Sequence, residues 1–227
     1  MCGRYALDAT VEDLLNALRI KSRVNLQARY NIAPGQSILV LRNHPEKVTR
    51  ELCTLEWGLI PGWAKTRPKD RALINARVET VAEKPSFRAA YRKRRCLIPA
   101  SGFYEWKGEP TYKQPFYIYL KNAKVFAFAG IWERWQPPGE DAIESAAILT
   151  TAASATVKSL HDRMPIIVKG EDHDAWLSGA MEGAAAAAAM ADLPFTFHPV
   201  SRAVNNVRND TPELVREMKA ETPGDPF

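Results

Sequence analysis

The first regular pattern along the chain is a stripe. Val11, Leu14, Leu15 and Leu18 recur at three- and four-residue spacing behind Thr10, and Asp13 stands three positions after that threonine. This is the period of one helix face. Thr10 and Asp13 form the pair in which each side chain satisfies an orphan backbone N–H at a helix start. The pattern then shortens to strand length. Residues 38–41 are an apolar run, and within 52–57 the apolar Cys53, Leu55 and Trp57 alternate with Thr54 and Glu56, the two-residue period of a half-buried strand. Further strand-like runs lie at 96–98, 103–106, 116–120, 125–131, 146–151, 165–168 and 195–200. Ser86 opens a short helix with Phe87, Ala90 and Tyr91 on one side. Short helices also fit 155–160 and 174–177, and the six alanines at 184–189 form another. Many short strands with scattered small helices predict an α+β fold: a single β-rich domain, built as curved sheets or a distorted β-barrel with short peripheral helices. No linker divides residues 1–227. The stretch 136–141 reads as a surface loop, and the tail frays from about residue 221.

Composition narrows the class. With 227 residues, 46% of them hydrophobic, the chain can bury a sizeable core. Cys2, Cys53 and Cys96 are odd in number and widely spaced, with no C-x-x-C pair. They suit a reducing compartment and fit neither a disulfide framework nor a zinc site. His44, His161, His173 and His198 show no ligand spacing, so no metal and no cofactor is expected. The start has no apolar export segment and no apolar run approaches membrane-spanning length, which places the protein in the cytoplasm, associated with the nucleoid, without a membrane partner. A net charge of +5 favours a polyanionic partner.

The most informative residue is the second. The chain opens Met1-Cys2-Gly3-Arg4, and an initiator methionine is normally removed when a small residue follows. The mature chain then starts with a cysteine that carries a free amine and a free thiol on adjacent carbons. Such a 1,2-aminothiol condenses with an aldehyde through its amine, and its thiol closes on the imine to give a five-membered thiazolidine. The amine, with an ordinary pKa of roughly 7.7–8.0, is partly neutral near pH 7, and the thiol lies at about 8.5. The bland alternative is a cysteine on a frayed terminus.

Three further stretches are dense in unusual residues: 57–63 running on to 75–80, then 102–106, then 161–165. Each has an ordinary reading beside the chemical one. Asn75 stabilises a turn, and Arg77 with Glu79 forms a solvated pair. Glu105 points outward from its strand, although an inward Glu among aromatics would be costly without partners or purpose. His161 satisfies carbonyls at a helix end.

Taken together, these stretches resemble a known family. Met1-Cys2-Gly3-Arg4, Arg29-Tyr30-Asn31-Ile32-Ala33-Pro34-Gly35, Trp57-Gly58 through Pro61-Gly62-Trp63, Asn75-Ala76-Arg77-Val78-Glu79-Thr80, Gly102-Phe103-Tyr104-Glu105-Trp106, His161-Asp162-Arg163-Met164-Pro165 and His198-Pro199-Val200-Ser201-Arg202-Ala203-Val204 occur in that order. They resemble the SRAP family, named for the SOS-response-associated peptidase and known for abasic-site processing, over about residues 2–208. The resemblance implies capture of the ring-opened abasic aldehyde in single-stranded DNA as a thiazolidine on Cys2. Asn75 would hold the Cys2 amine and the sugar, Glu105 would shuttle protons as the sugar opens, and His161 would assist imine chemistry and reversal. Arg4, Arg77 and Arg163 would neutralise phosphates, while Trp63 and Pro34 would stack on or wedge beside flanking bases. The implied partner is abasic single-stranded DNA, bound by a monomer. A self-processing peptidase activity that exposes Cys2 is also implied. The chain departs from the family at Ala64, where members often carry a second aromatic, and Lys65, Thr66, Arg67 and Lys69 follow instead. The run Arg92-Lys93-Arg94-Arg95 reads as a solvated face ahead of a strand, with a DNA patch as the alternative.

Two rival classes remain open on the residues alone. One is a Cys–His peptidase or amidohydrolase, for which the sequence flags no oxyanion hole. The other is a basic nucleic-acid-binding module in which Cys2 is incidental.

Overall fold

A computed structural model describes residues 2–68, 73–109 and 111–218; Lys69 and the tail beyond 218 lie outside them. In chain order the elements are β1 (Tyr5–Leu7), α1 (Val11–Leu18), β2 (Arg29–Ile32), β3 (Ser37–Asn43), β4 (Arg50–Trp57) and β5 (Asn75–Arg77). There follow α2 (Arg88–Lys93), β6 (Arg95–Ala100), β7 (Gly102–Glu109), β8 (Tyr112–Leu120), β9 (Phe126–Trp135) and β10 (Ile143–Ala152). The chain then runs through α3 (Ala155–Lys158), β11 (Arg163–Pro165), β12 (Ile167–Val168), α4 (His173–Ser178), α5 (Gly183–Ala189) and β13 (Phe195–Pro199), with short 3₁₀ turns between.

The fold is α+β around a closed five-stranded barrel. β4, β3, β6 and β9 pair antiparallel in that order, β9 pairs antiparallel with β10, and β10 returns to β4 in parallel. Closure removes the free edges that an open sheet would expose. At its far end β10 also takes β5 in parallel and β11 antiparallel, with Asn75 opposite Ile148 and Arg163 opposite Ala152. A second sheet runs β13-β8-β7-β1-β2. Tyr5 docks the two sheets together. Its ring packs edge-on against Trp57 at 5.3 Å and against Phe128 at 5.8 Å, contacts worth about 0.5–1.5 kcal/mol each beyond the area they bury. The strand that follows Cys2 is therefore fastened to the barrel through its first residue.

Helix α1 has the capping box read from Thr10 and Asp13. The long alternating strands fall where the apolar pattern puts them. Three local readings change. The run at 165–168 splits at Ile166, whose N–H donates to Leu149 O and whose O accepts from Ala129 N–H, so the chain passes from one partner strand to another. Helix α2 starts after Phe87 with no side-chain cap, not at Ser86. The basic run before β6 is not simply a solvated face. Arg92 and Lys93 are exposed, but Arg94 pairs with Glu133 at 2.5 Å. Arg95 is buried against the rings of Tyr91 and Trp176, with hydrogen bonds to the carbonyls of Tyr91 and Met181.

Gly102, opposite Ala6 in the β1–β7 pairing, has the Tyr117 ring above its Cα. A Cβ there would sit 2.4 Å from that ring. Gly102→Ala is expected to lower stability by about 1–3 kcal/mol, read as an earlier denaturant midpoint, because Tyr117 must leave its place between Tyr104 and Tyr119.

Candidate active site

Four segments distant in sequence meet at the end of the barrel beside β10. The Cys2 side chain is fully buried, and its Sγ lies 3.7 Å from the carbonyl of Arg4, which also accepts the Tyr104 N–H at 3.0 Å. Asn75, first residue of β5, donates from Nδ2 to the Cys2 carbonyl at 2.8 Å. The neighbouring Ile74 carbonyl takes the Trp57 indole N–H at 3.0 Å, so a buried barrel residue fixes where β5 begins. Asn75 Oδ1 is buried and has no hydrogen-bond partner among the described residues. Buried polar atoms of that kind call for an explanation.

Glu105 comes from β7 and is 4% exposed, so it points inward. Burial raises its carboxyl above the usual range, against an opposing pull from His161. The Cys2 thiol is pushed far above the ordinary thiol range by burial first and by the Glu105 carboxylate second. Glu105 is thus within electrostatic reach of both Cys2 and His161, and Asn75 is bonded to Cys2.

His161 follows α3, where its N–H closes on the Val157 carbonyl at 3.1 Å. Its ring satisfies no carbonyl through Nδ1. That nitrogen accepts the Arg163 backbone N–H at 2.9 Å, which puts the proton of the neutral ring on Nε2.

The residues nominated for DNA divide by exposure. Pro34 is exposed at a tight turn in which Gly35 takes a positive φ of 80° and Gln36 N–H returns to Ala33 O. Trp63 is 66% exposed, with its indole N–H on Pro85 O at 3.2 Å. Arg77 is exposed at the end of β5. Arg4 and Arg163 are already engaged. Arg4 Nη1 binds Asn31 Oδ1 at 2.7 Å and Val204 O at 2.8 Å, and its guanidinium lies over Trp106. Arg163 makes a two-point pair with Glu79 at 2.6 and 3.0 Å, so Glu79 partners Arg163 rather than forming a solvated pair with Arg77. At the departure position the Ala64 carbonyl accepts the Trp135 indole N–H at 2.7 Å, and Arg67 pairs with Glu56.

The profile of the SOS response associated peptidase (SRAP) family matches residues 1–207. The chain belongs to the SRAP family. It is 37% identical over 224 residues to the abasic site processing protein YoqW of Bacillus subtilis, covering 95% of this chain and 99% of that one. It is 36% identical over 229 residues to the abasic site processing protein YedK of Escherichia coli, covering 96% and 100%. To the abasic site processing protein HMCES of Xenopus tropicalis it is 30% identical over 260 residues, covering 95% and 78%. A crystal structure of a protein from Bacteroides thetaiotaomicron superposes with a TM-score of 0.81 at 24% identity, covering 96% of this chain and 100% of that one, which shows the shared fold.

Within this SRAP chain, Asn31 and Asp210 take a part that no sequence pattern marks. Asn31 is fully buried. It donates from Nδ2 to the carbonyls of Val204, Asn206 and Asn209 at 3.2, 3.1 and 2.7 Å while its Oδ1 holds Arg4. Asp210 accepts the backbone N–H groups of Tyr30 and Asn31. The segment after β13 is thereby clamped beneath Arg4. Asn31 lies in a stretch that carries the resemblance and Asp210 lies past the last such stretch; only the fold gives them this part. None of the described helices is long and apolar enough to cross a membrane.

Proposed function

We propose that this protein captures abasic sites in single-stranded DNA by forming a thiazolidine on Cys2 once Met1 has been removed. The observation that carries the reading is the grouping of a cysteine able to become N-terminal with a buried carboxyl of raised pKa, a carboxamide on the cysteine carbonyl, and a histidine. The named activity of the relatives supports it. The closed abasic sugar is a hemiacetal. Glu105 takes the proton from the C1 hydroxyl and returns one to the ring oxygen as the C1–O bond breaks, leaving an aldehyde and a free 4′-hydroxyl. The Cys2 amine adds to C1, and loss of water gives the imine. The thiol then adds across the C=N bond, forming the S–C1 bond while its proton goes to nitrogen.

The pKa directions favour this order. A thiol held up by burial and a neighbouring carboxylate is a poor first nucleophile near pH 7, so the amine attacks first and the thiol closes second. The unpartnered Asn75 Oδ1 is an acceptor for the amine or a sugar hydroxyl, while Nδ2 holds the Cys2 carbonyl. His161, whose neutral ring carries its proton on Nε2 once Nδ1 is taken by the Arg163 N–H, serves the reverse direction by hydrogen-bonding to the adduct as it comes apart.

DNA is held without sequence preference, as a monomer, by phosphate contacts and base stacking. Arg77→Ala is expected to weaken binding alike on all sequences and to lower the salt slope by about 0.7; an unchanged slope in a salt titration would remove Arg77 from the phosphate contacts. The function itself is tested on a denaturing gel with single-stranded DNA carrying one abasic site. The expected result is a slow band that survives denaturation, and its absence overturns the reading. Removal of Met1 by the protein itself, as a peptidase, is a second activity of the same site, tested by whether Cys2→Ala retains Met1 when expressed without methionine aminopeptidase activity.

A further inference from the structure

Glu79 has no task in the capture chemistry, and its position argues against a passive one. An exposed carboxylate beside a DNA site repels phosphate, yet this one is held in a fixed arrangement. Its two oxygens bind Arg163 Nη1 at 2.6 Å and Nη2 at 3.0 Å, the parallel fork geometry that fixes a guanidinium in plane. Nη2 also binds the Thr150 carbonyl at 2.7 Å. That carbonyl accepts the Val78 N–H at 3.0 Å as well, and Thr150 Oγ1 lies 3.4 Å from Ala76 O. One ion pair, seated on the end of β10, thus joins the segment after β5 to the start of β11. The first segment continues β5, which begins at Asn75. The second follows His161 by two residues, and its Arg163 N–H is the donor to His161 Nδ1.

We propose that Glu79 is a positioning residue for His161, acting through Arg163. With the Arg163 side chain fixed by Glu79 and Thr150, its backbone N–H stays aimed at Nδ1, and the imidazole keeps its proton on Nε2. Loosening the fork lets the Arg163 backbone rotate and the ring sample the other tautomer. Glu79 is half-exposed while Arg163 is largely covered, and glutamine keeps the shape of Glu79 and a hydrogen-bonding oxygen for Arg163, so Glu79→Gln leaves the fold standing. The proposal rests on the functional reading only for which reaction His161 serves.

The test has two arms on the full-length chain. Nitrogen-15 imidazole spectra should show His161 with its proton on Nε2 in the wild type and a mixture of tautomers in Glu79→Gln. Arg163→Lys, which keeps the charge and loses the fork, should give the same mixture. In the second arm, Glu79→Gln should slow adduct release by about tenfold to a hundredfold, with DNA affinity unchanged. An unchanged tautomer in Glu79→Gln overturns the proposal. So does tighter DNA binding with a steeper salt slope at unchanged tautomer, which would make Glu79 a guard on a phosphate-binding Arg163. The spectra report on the brace whether or not any adduct forms, so loss of the functional reading would not be mistaken for loss of this one.

Discussion

Cys2→Ser is expected to abolish the denaturation-resistant adduct while leaving non-covalent DNA binding intact. Serine is also small, so Met1 is still removed and the amine is still delivered to the site. The imine therefore forms, but a hydroxyl closes on it far less readily than a thiol, and the imine hydrolyses. Sodium borohydride, which reduces an imine to a stable amine, should rescue a covalent band in the serine variant. Binding survives because serine differs from cysteine by one side-chain atom, and the phosphate and base contacts are assigned to other residues. Chemistry that ran through the thiol alone would give no borohydride-trapped band in Cys2→Ser. A full-strength adduct in Cys2→Ser without borohydride would place the link on another residue.

Glu105→Gln is expected to slow capture of a closed abasic sugar by about 10²–10⁴-fold, the usual worth of a positioned acid–base group. Capture of a substrate that already presents a free aldehyde should slow much less. Glutamine keeps the shape and cannot carry protons. Equal slowing on both substrates would move Glu105 to the imine step. The same substitution carries a stability signature with a definite sign. Burial raises the folded-state pKa of Glu105 above its unfolded value. Its contribution is therefore fully present below the unfolded pKa, about 4.3, and is lost as pH rises through the folded pKa, where a charge must be kept in a buried place. Glu105→Gln should melt higher than wild type at pH 8, and the gap should close by pH 4. A melting point lowered at pH 8, with the gap closing by pH 4, would mean instead that the carboxylate is held by favourable partners.

The sequence and the structure agree best where a pattern repeats within one element. Leu55 and Trp57 are buried and Thr54 is exposed on β4, as alternation requires, and the α1 stripe buries Leu14 and Leu18. The three strands that escaped notice are β1, β2 and β5. At three or four residues they are too short to show a period, and partners remote in sequence hold them: Tyr5 against Phe103, and Asn75 against Ile148. Of these, β1 follows Cys2 directly and β5 begins at Asn75, whereas Glu105 stands on β7, which the pattern does mark. The roles of Asn75, Glu105 and His161 were legible only through the family resemblance. Cys2 is different, because its place behind an initiator methionine suggests aminothiol chemistry, and the resemblance is what favours that reading over a cysteine on a frayed terminus. The Glu79–Arg163 pair was out of reach, since 84 residues separate its members and a nearer arginine, Arg77, offers itself first.

Thiazolidine capture on Cys2 is decided by the intact mass of the protein after incubation with single-stranded DNA bearing one abasic site, without reductant. The expected product is a species equal to the chain without Met1 plus the DNA, less one water, with fragment ions that place the modification on Cys2. An adduct of equal yield on chains that retain Met1 would contradict thiazolidine capture, because an acylated amine forms neither the imine nor the thiazolidine.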